Sequence, residues 1–332
     1  MSPSSFLALG RATPIGALLL MLPLVLGAPG LVSAESRIVD RIGVFKSPSR
    51  VALSQQARLY VSDTAGGIVA IYDLSGVRVG TLQGAVRPLG IAVRETSGGA
   101  PDDCVPSGKG RKCKKGSSGP ASASATRVWV GDEIDGSVRV FADGEPDGFL
   151  GGGSGEFARP NAIAVSSEAV YVVDSNVHRV AIYDFDGSQV GSFGSPGWGA
   201  GQFDFPNDIA INESAGEVYV ADFGNQRIGV FDLAGTWVRQ ITAPANDAGD
   251  PIFLRPSGLG IDTAGNLYVV DAALSCVVVM DAAGSLLDVV GYQNGAYWTG
   301  DFDIPIDAAT DGVRVYVTSS KQHRVNVFEV SP

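Results

Sequence analysis

Two histidines, His178 and His323, are all the imidazole in a chain of 332 residues. Chemistry built on several histidines therefore has no material here. Three cysteines remain: Cys104 and Cys113, nine apart in a hydrophilic segment, and Cys276 in the apolar run CVVVMD. The first two suit a disulfide closing a small loop, and the third suits a buried small hydrophobe. No CxxCH, no Ser/His/Asp set and no paired-cysteine metal motif occurs. GGGSGEF precedes a strand pattern, not a helix, so it does not cradle a dinucleotide. What does recur is oxygen-bearing and charged residues just behind a proline. Asn161 follows Pro160, Asn207 and Asp208 follow Pro206, and Asp307 and Arg50 stand two after Pro305 and Pro48. Such a set could hold a hard cation such as Ca2+ through its oxygens, or clamp a carboxylate through arginine. It could equally be polar residues at a wet rim, whose charges pair with one another at little cost.

The elements that position these residues come from an internal repeat. Six prolines, Pro48, Pro88, Pro160, Pro206, Pro256 and Pro305, each precede a similar segment, at spacings of 40, 72, 46, 50 and 49 residues. The outlier contains an insert over about residues 95–125, after which TRVWVGD resumes the pattern. Each unit reads as four short strands, as in NAIAV, AVYVVD, HRVAIYD and SQVGSFG. Four strands in some 45 residues, repeated, predict the blades of a propeller. The sixth unit has only three strands, and RIVDRIGVF near the start of the chain supplies the missing outer one. The expected fold is all-β: a six-bladed β-propeller of four-stranded antiparallel blades, closed by the N-terminal strand on the last blade.

The stretches GSGEFARPNAIAV, YVVDSNVHRVAIYD and YVADFGNQRIGVFD carry a pattern that resembles the NHL repeat. The resemblance spans nearly all of the chain beyond the leader and is weakest in blades one, two and five. It implies a binding or scaffold propeller. In this frame His178 aligns with Gln226 and His323, each one residue before an arginine (Arg179, Arg227, Arg324). A position that recurs around the ring, and that tolerates glutamine, serves the blade; His178 is expected to be architectural. Asp63, Asp132, Asp174, Asp222 and Asp271 end the second strand of their blades, with Ser319 in the sixth. Spread one per blade, they read as turn caps.

Propeller geometry brings the residues behind the prolines to the mouth of the central channel, the site proposed for Arg50, Asn161, Asn207, Asp208 and Asp307, with Arg87, Arg159 and Arg255 before the prolines. GSPGWGAG and GYQNGAYWTG belong to the same face, and Trp198 and Trp298 are candidate binding anchors there. The insert leaves by the opposite face. Lys109, Arg111, Lys112, Lys114 and Lys115, between Cys104 and the flexible-looking GSSGPASASA, could dock an acidic protein or an envelope anion.

Residues 1–34 carry Arg11, the apolar run IGALLLMLPLVLG and a V-S-A end, the signature of a cleaved signal peptide. The run is too short to span a membrane, so the expected product is an exported, soluble monomer over residues 35–332, periplasmic or extracellular. Its formal charge is −12, from 23 basic and 35 acidic residues. That charge disfavours nucleic acid as a partner, although some NHL proteins resemble RNA binders. NHL-type propellers also resemble amidating lyases, whose zinc needs several histidines that this chain lacks. Gluconolactonase and strictosidine synthase relatives use glutamate, asparagine and aspartate around the channel. Asn161, Asn207 and Asp208 match in part, but blade one (SPSRVAL) offers no glutamate. A non-catalytic, protein-binding scaffold needing no cofactor is the leading expectation. A lactone hydrolase or lyase with a Ca2+-type site at the channel mouth is the alternative.

Overall fold

The computed structural model describes residues 38–96, 104–107, 110–113, 125–243, 253–293, 296–297 and 302–330. The leader and most of the insert, including Lys109, Lys114 and Lys115, lie outside them, as does Trp298. The described chain forms six four-stranded antiparallel sheets in a ring. Blade three shows the pattern: strand A Pro160–Val165, B Val170–Asp174, C Arg179–Tyr183 and D Gln189–Phe193. Strand A of each blade lies innermost and touches strand A of the blade on either side, all the way around. The last sheet takes its D strand, Ile38–Ile42, from the start of the ring, paired antiparallel with strand C, Arg324–Glu329. The expected six blades and their closure are both present.

Blades pack face to face, so strands B and C are covered on both sides. Their sequences are accordingly continuous runs of β-branched and aromatic residues, not alternating ones. VYVVD, LYVVD and CVVVM are buried at every position. The outer D strands, such as Arg78–Leu82, revert to mixed exposure. Six apolar clusters result, each drawn from two neighbouring blades. Each fully buried Val, Ile or Phe contributes roughly 1.5–3 kcal/mol of transfer free energy, so stability resides in the seams between blades.

Two local devices set up the channel. Every strand A pairs with strand B through an irregularity directly behind its proline, for example between Pro206 and Asp208 and between Pro48 and Val51. The extra residue re-aims side chains and carbonyls inward. The inner strands also approach very closely. A Cβ on Gly258 would sit 2.5 Å from Asp307 Cα and 2.6 Å from the Ile306 oxygen, both backbone of the next blade. Gly258→Ala is expected to cost about 1–3 kcal/mol through overpacking, read as a lower melting temperature. An unchanged melting temperature would mean that the strands separate freely there.

At the opposite end of the blades, the C–D turns are closed by aspartates. Asp73 accepts from the amides of Ser75 and Val77 and from the Ser75 hydroxyl, Asp232 from those of Ala234 and Thr236, and Asp281 from those of Ala283 and Ser285. These bonds hold all three carboxyls below the ordinary carboxylate range. The folded state therefore prefers their charged form, which stabilises above the unfolded value near 4 and is lost as pH falls through the depressed folded values. A triple Asp→Asn variant should show a shallower fall of melting temperature below about pH 4 than the parent. Parallel curves would remove these turns from the acid response.

Candidate functional site

The five channel residues singled out from sequence do converge, but they are not a wet rim. Arg50, Asn161, Asp208 and Asp307 are each 4–5% exposed, and Asn207 is half-buried. Arg50 extends from blade one across the channel. Its Nε donates to the Asn161 carbonyl at 3.1 Å, its Nη1 to the Ser257 carbonyl at 3.1 Å, and its Nη2 to the Asn207 carbonyl. Nη1 also lies 3.2 Å from Asp208 Oδ2 and 3.7 Å from Asp307 Oδ1. One guanidinium thus joins blades one, three, four, five and six. The carboxylates are held in turn. Asp208 accepts from the amides of Ile209 and Leu259, and Asp307 from those of Val51 and Ala308. Burial, and then the neighbouring Asp208, push the Asp307 carboxyl well above the usual range against the pull of Arg50.

This arrangement does not fit a Ca2+ ion beside Arg50. A hard cation needs six to eight oxygens. Here three carbonyls and both carboxylates already serve the guanidinium, and the Asn161 amide presents its NH2 to the Asn207 carbonyl at 2.7 Å. The Asn207 amide likewise donates to the Ser257 carbonyl at 2.7 Å. The Asn207 side-chain oxygen in turn accepts from the Asn161 amide, so it is already engaged. A cavity of about 50 Å3 beside the cluster, lined by Arg50, Asp208, Asp307 and the apolar flanks of the inner strands, has room for a few waters. Among the described residues, no three His, Cys, Asp or Glu side chains group as a metal site.

The face above carries the D–A and B–C loops, and the aspartates ending strand B build it. Asp63, Asp132 and Asp271 cap their own turns through the amides of Gly66, Ile134 and of Ala273 and Leu274, whereas Asp174 makes no such bond. All of these aspartates reach back to the preceding D–A loop, Asp271 to the Arg255 amide. Asp63 accepts from the amides of Lys46 and Ser47, Asp132 from those of Val86 and Arg87, and Asp174 from those of Ala158 and Arg159. The arginines expected to clamp a ligand carboxylate already have partners. Glu133 bridges Arg87 at 3.1 Å and Arg159 at 3.6 Å, and Arg255 lies over the Phe223 ring. His178 occupies the turn position that recurs around the ring. It takes the left-handed backbone position that closes the B–C turn (φ 55°), matching Gln226, Ser275 and His323, with Gly67 and Gly136 in the other blades. Its Nδ1 lies 3.2 Å from the Phe203 carbonyl and 3.1 Å from the Phe205 amide, tying the turn to the next loop.

Trp198 is 82% exposed, yet its loop is fixed. Buried Arg227 donates to the carbonyls of Trp198, Gly199 and Gln202, while its Nε is held 2.8 Å from Asp222. The Gln202 side chain accepts from the Gly199 amide. Sequence reasoning missed Phe205 and Ile304, which precede Pro206 and Pro305 as Arg159 precedes Pro160. Both are exposed at positive φ, 48° and 55°, a conformation unfavourable for bulky and especially β-branched residues. Their place before the repeat proline was the available signal. Val44, Val86 and Ile134 are exposed on the same face. In the insert, the backbone pairs Cys104 opposite Cys113 in a hairpin of Cys104–Ser107 with Gly110–Cys113. Directly opposed antiparallel residues lie at a separation a disulfide can span. The side chains there, including Arg111 and Lys112, are outside the described residues.

Comparison with known proteins supports the fold. A family model described as a six-bladed β-propeller matches residues 153–249. No curated protein matches the sequence. Among solved structures, the chain is similar to a gluconolactonase from Xanthomonas campestris, at 17% identity and a TM-score of 0.60, over 89% of this chain and 92% of that one. It is similar to Kuenenia stuttgartiensis hydrazine synthase at 14% identity and a TM-score of 0.56, over 87% and 97%. It is also similar to a streptogramin B lyase at 12% identity and a TM-score of 0.55, over 88% and 87%. This protein is a six-bladed β-propeller. At these identities the likeness extends to the fold and no further.

Proposed function

We propose that this protein is an exported, non-catalytic propeller of the NHL type that binds a protein or cell-envelope partner on the face carrying the D–A and B–C loops. One observation carries the reading: the channel oxygens an enzyme of this architecture would turn to substrate are consumed by Arg50, while the face above displays Trp198, Phe205 and Ile304 on built loops. Rigid exposed aromatics make good interface anchors because little side-chain freedom is lost on binding. The strained backbone at Phe205 and Ile304 fits residues held out for contact. The leader, the Cys104–Cys113 disulfide and a docking role for the basic hairpin belong to the same proposal. A lactonase-like reaction has less support, because the Asp208 and Asp307 carboxylates point at a guanidinium.

A photo-crosslinking residue at position 198, expressed in the source cells, should give a discrete adduct that disappears in a Phe205→Ser background. The same group at Val313, exposed on an A–B turn of the opposite face, should give none. Equal labelling from both positions would refute the assigned face. Lactone hydrolysis by the purified protein, abolished by Asp208→Asn, would replace the reading with an enzymatic one.

A further inference from the structure

The centre of the ring has the construction of a cation site with its occupant supplied by the chain. Five oxygens from four blades, the carbonyls of Asn161, Asn207 and Ser257 with Asp208 Oδ2 and Asp307 Oδ1, face one positive group. Three are main-chain carbonyls and two are carboxylates, the hard donors that alkaline-earth ions take. Each carboxylate is pinned by backbone amides of its own strand and a neighbouring one, so its position does not depend on Arg50 alone. The bulges behind the prolines fix the carbonyls in the same way. The adjoining cavity of about 50 Å3 could supply waters for the remaining coordination positions.

We propose that the Arg50 guanidinium is a built-in cation standing in a latent divalent-cation site. The native ring is then independent of Ca2+, and withdrawing the guanidinium turns the channel into a Ca2+ site. The inference is independent of the partner face, since it concerns only the interior of the ring. Charge supports it: with Arg50 removed, two carboxyls remain in a buried, carbonyl-lined space with no cation to balance them. A flexible four-carbon ammonium lacks the planar fork that reaches three carbonyls at once, but would still supply the charge.

The test uses the full mature chain and Ca2+ alone as probe. Wild type should melt at the same temperature in EDTA and in millimolar Ca2+ and bind no stoichiometric Ca2+ in equilibrium dialysis. Arg50→Ala should bind about one Ca2+ per chain and gain about 5–10 °C in melting temperature at saturating Ca2+. Arg50→Ala/Asp307→Asn should lose both effects, and Arg50→Lys should show neither. Should Arg50→Ala be unfolded in EDTA, millimolar Ca2+ should restore its far-UV spectrum and cooperative melting. Three results would overturn the proposal: one Ca2+ per wild-type chain bound through Asp208 and Asp307, a folded Arg50→Ala that ignores Ca2+, or an unfolded Arg50→Ala that Ca2+ does not rescue.

Discussion

Arg50→Met, measured in EDTA at neutral pH, is expected to lose about 3–5 kcal/mol of stability, the cost of stripping one partner from a buried charged cluster. Methionine matches the stem of arginine well enough that the loss is not chiefly one of packing. It deletes the donors to three carbonyls in blades three, four and five. It also leaves Asp208 and Asp307, both nearly inaccessible, without a cation. At roughly 1.5–2 °C per kcal/mol for a ring of some 300 residues, the melting temperature should fall by about 5–8 °C. The loss should depend on pH. Arg50 is what pulls the Asp307 carboxyl down against burial and Asp208, so without it the folded-state value rises further. A carboxyl raised in the folded state stabilises at low pH and loses that contribution as pH rises through its folded value. The deficit of Arg50→Met against wild type should therefore shrink as pH is lowered from neutrality. A deficit that stays constant would place the cost in lost carbonyl bonds and not in the carboxyl pair.

The second large effect falls on Asp222 and Arg227. Asp222 is fully buried and accepts from the Asp204 amide, the Asn225 side chain and Arg227 Nε. Burial raises its carboxyl above the ordinary value despite those partners, so the pair depends on complete satisfaction. Asp222→Ala leaves the buried Arg227 without its counter-ion and should cost about 3–5 kcal/mol. Asp222→Ala/Arg227→Met should cost less than the sum of the two single variants, because the second change removes the orphaned charge. Arg227→Met should also free the Trp198 loop, since three of its carbonyls lose their donor. Faster hydrogen exchange at residues 197–202 is the readout, together with a weaker crosslink from position 198. Unchanged exchange would mean that the loop is held without Arg227, by its own backbone bonds and by the Asn225 and Gln202 side chains.

Sequence made the ring legible because the repeat is strong. Prolines at near-constant spacing, apolar B and C strands and a spare N-terminal strand leave few alternatives to six closed blades. It also named the channel residues, since residue type and position after the proline both show in the text of the chain. It could not reveal how they bond. The acceptors for Arg50 are main-chain carbonyls, which carry no residue-type signal, and the inward turn depends on bulges that no single residue announces. Residue type marks Asn161 as a side-chain oxygen donor, while in the fold its main-chain oxygen takes Arg50 and its amide NH2 meets Asn207. The role of His178 was readable in principle from Gly67 and Gly136 at the same turn position, where only a left-handed backbone is shared. The rigidity of Trp198 was not, because it rests on an arginine nearly thirty residues further on.

The seam that closes the ring pairs Ile38 with Phe328, then Asp40 with Val327, Arg41 with Asn326 and Ile42 with Val325. The chain therefore enters and leaves the propeller side by side, with the outermost rung at both ends. A pulling force applied between the two ends would act on one rung at a time, as on a zipper, and open the ring from Ile38 inward. Held by one end only, the same seam carries no load. As a mechanical element this propeller is strong when tethered from a single end and weak when stretched between two.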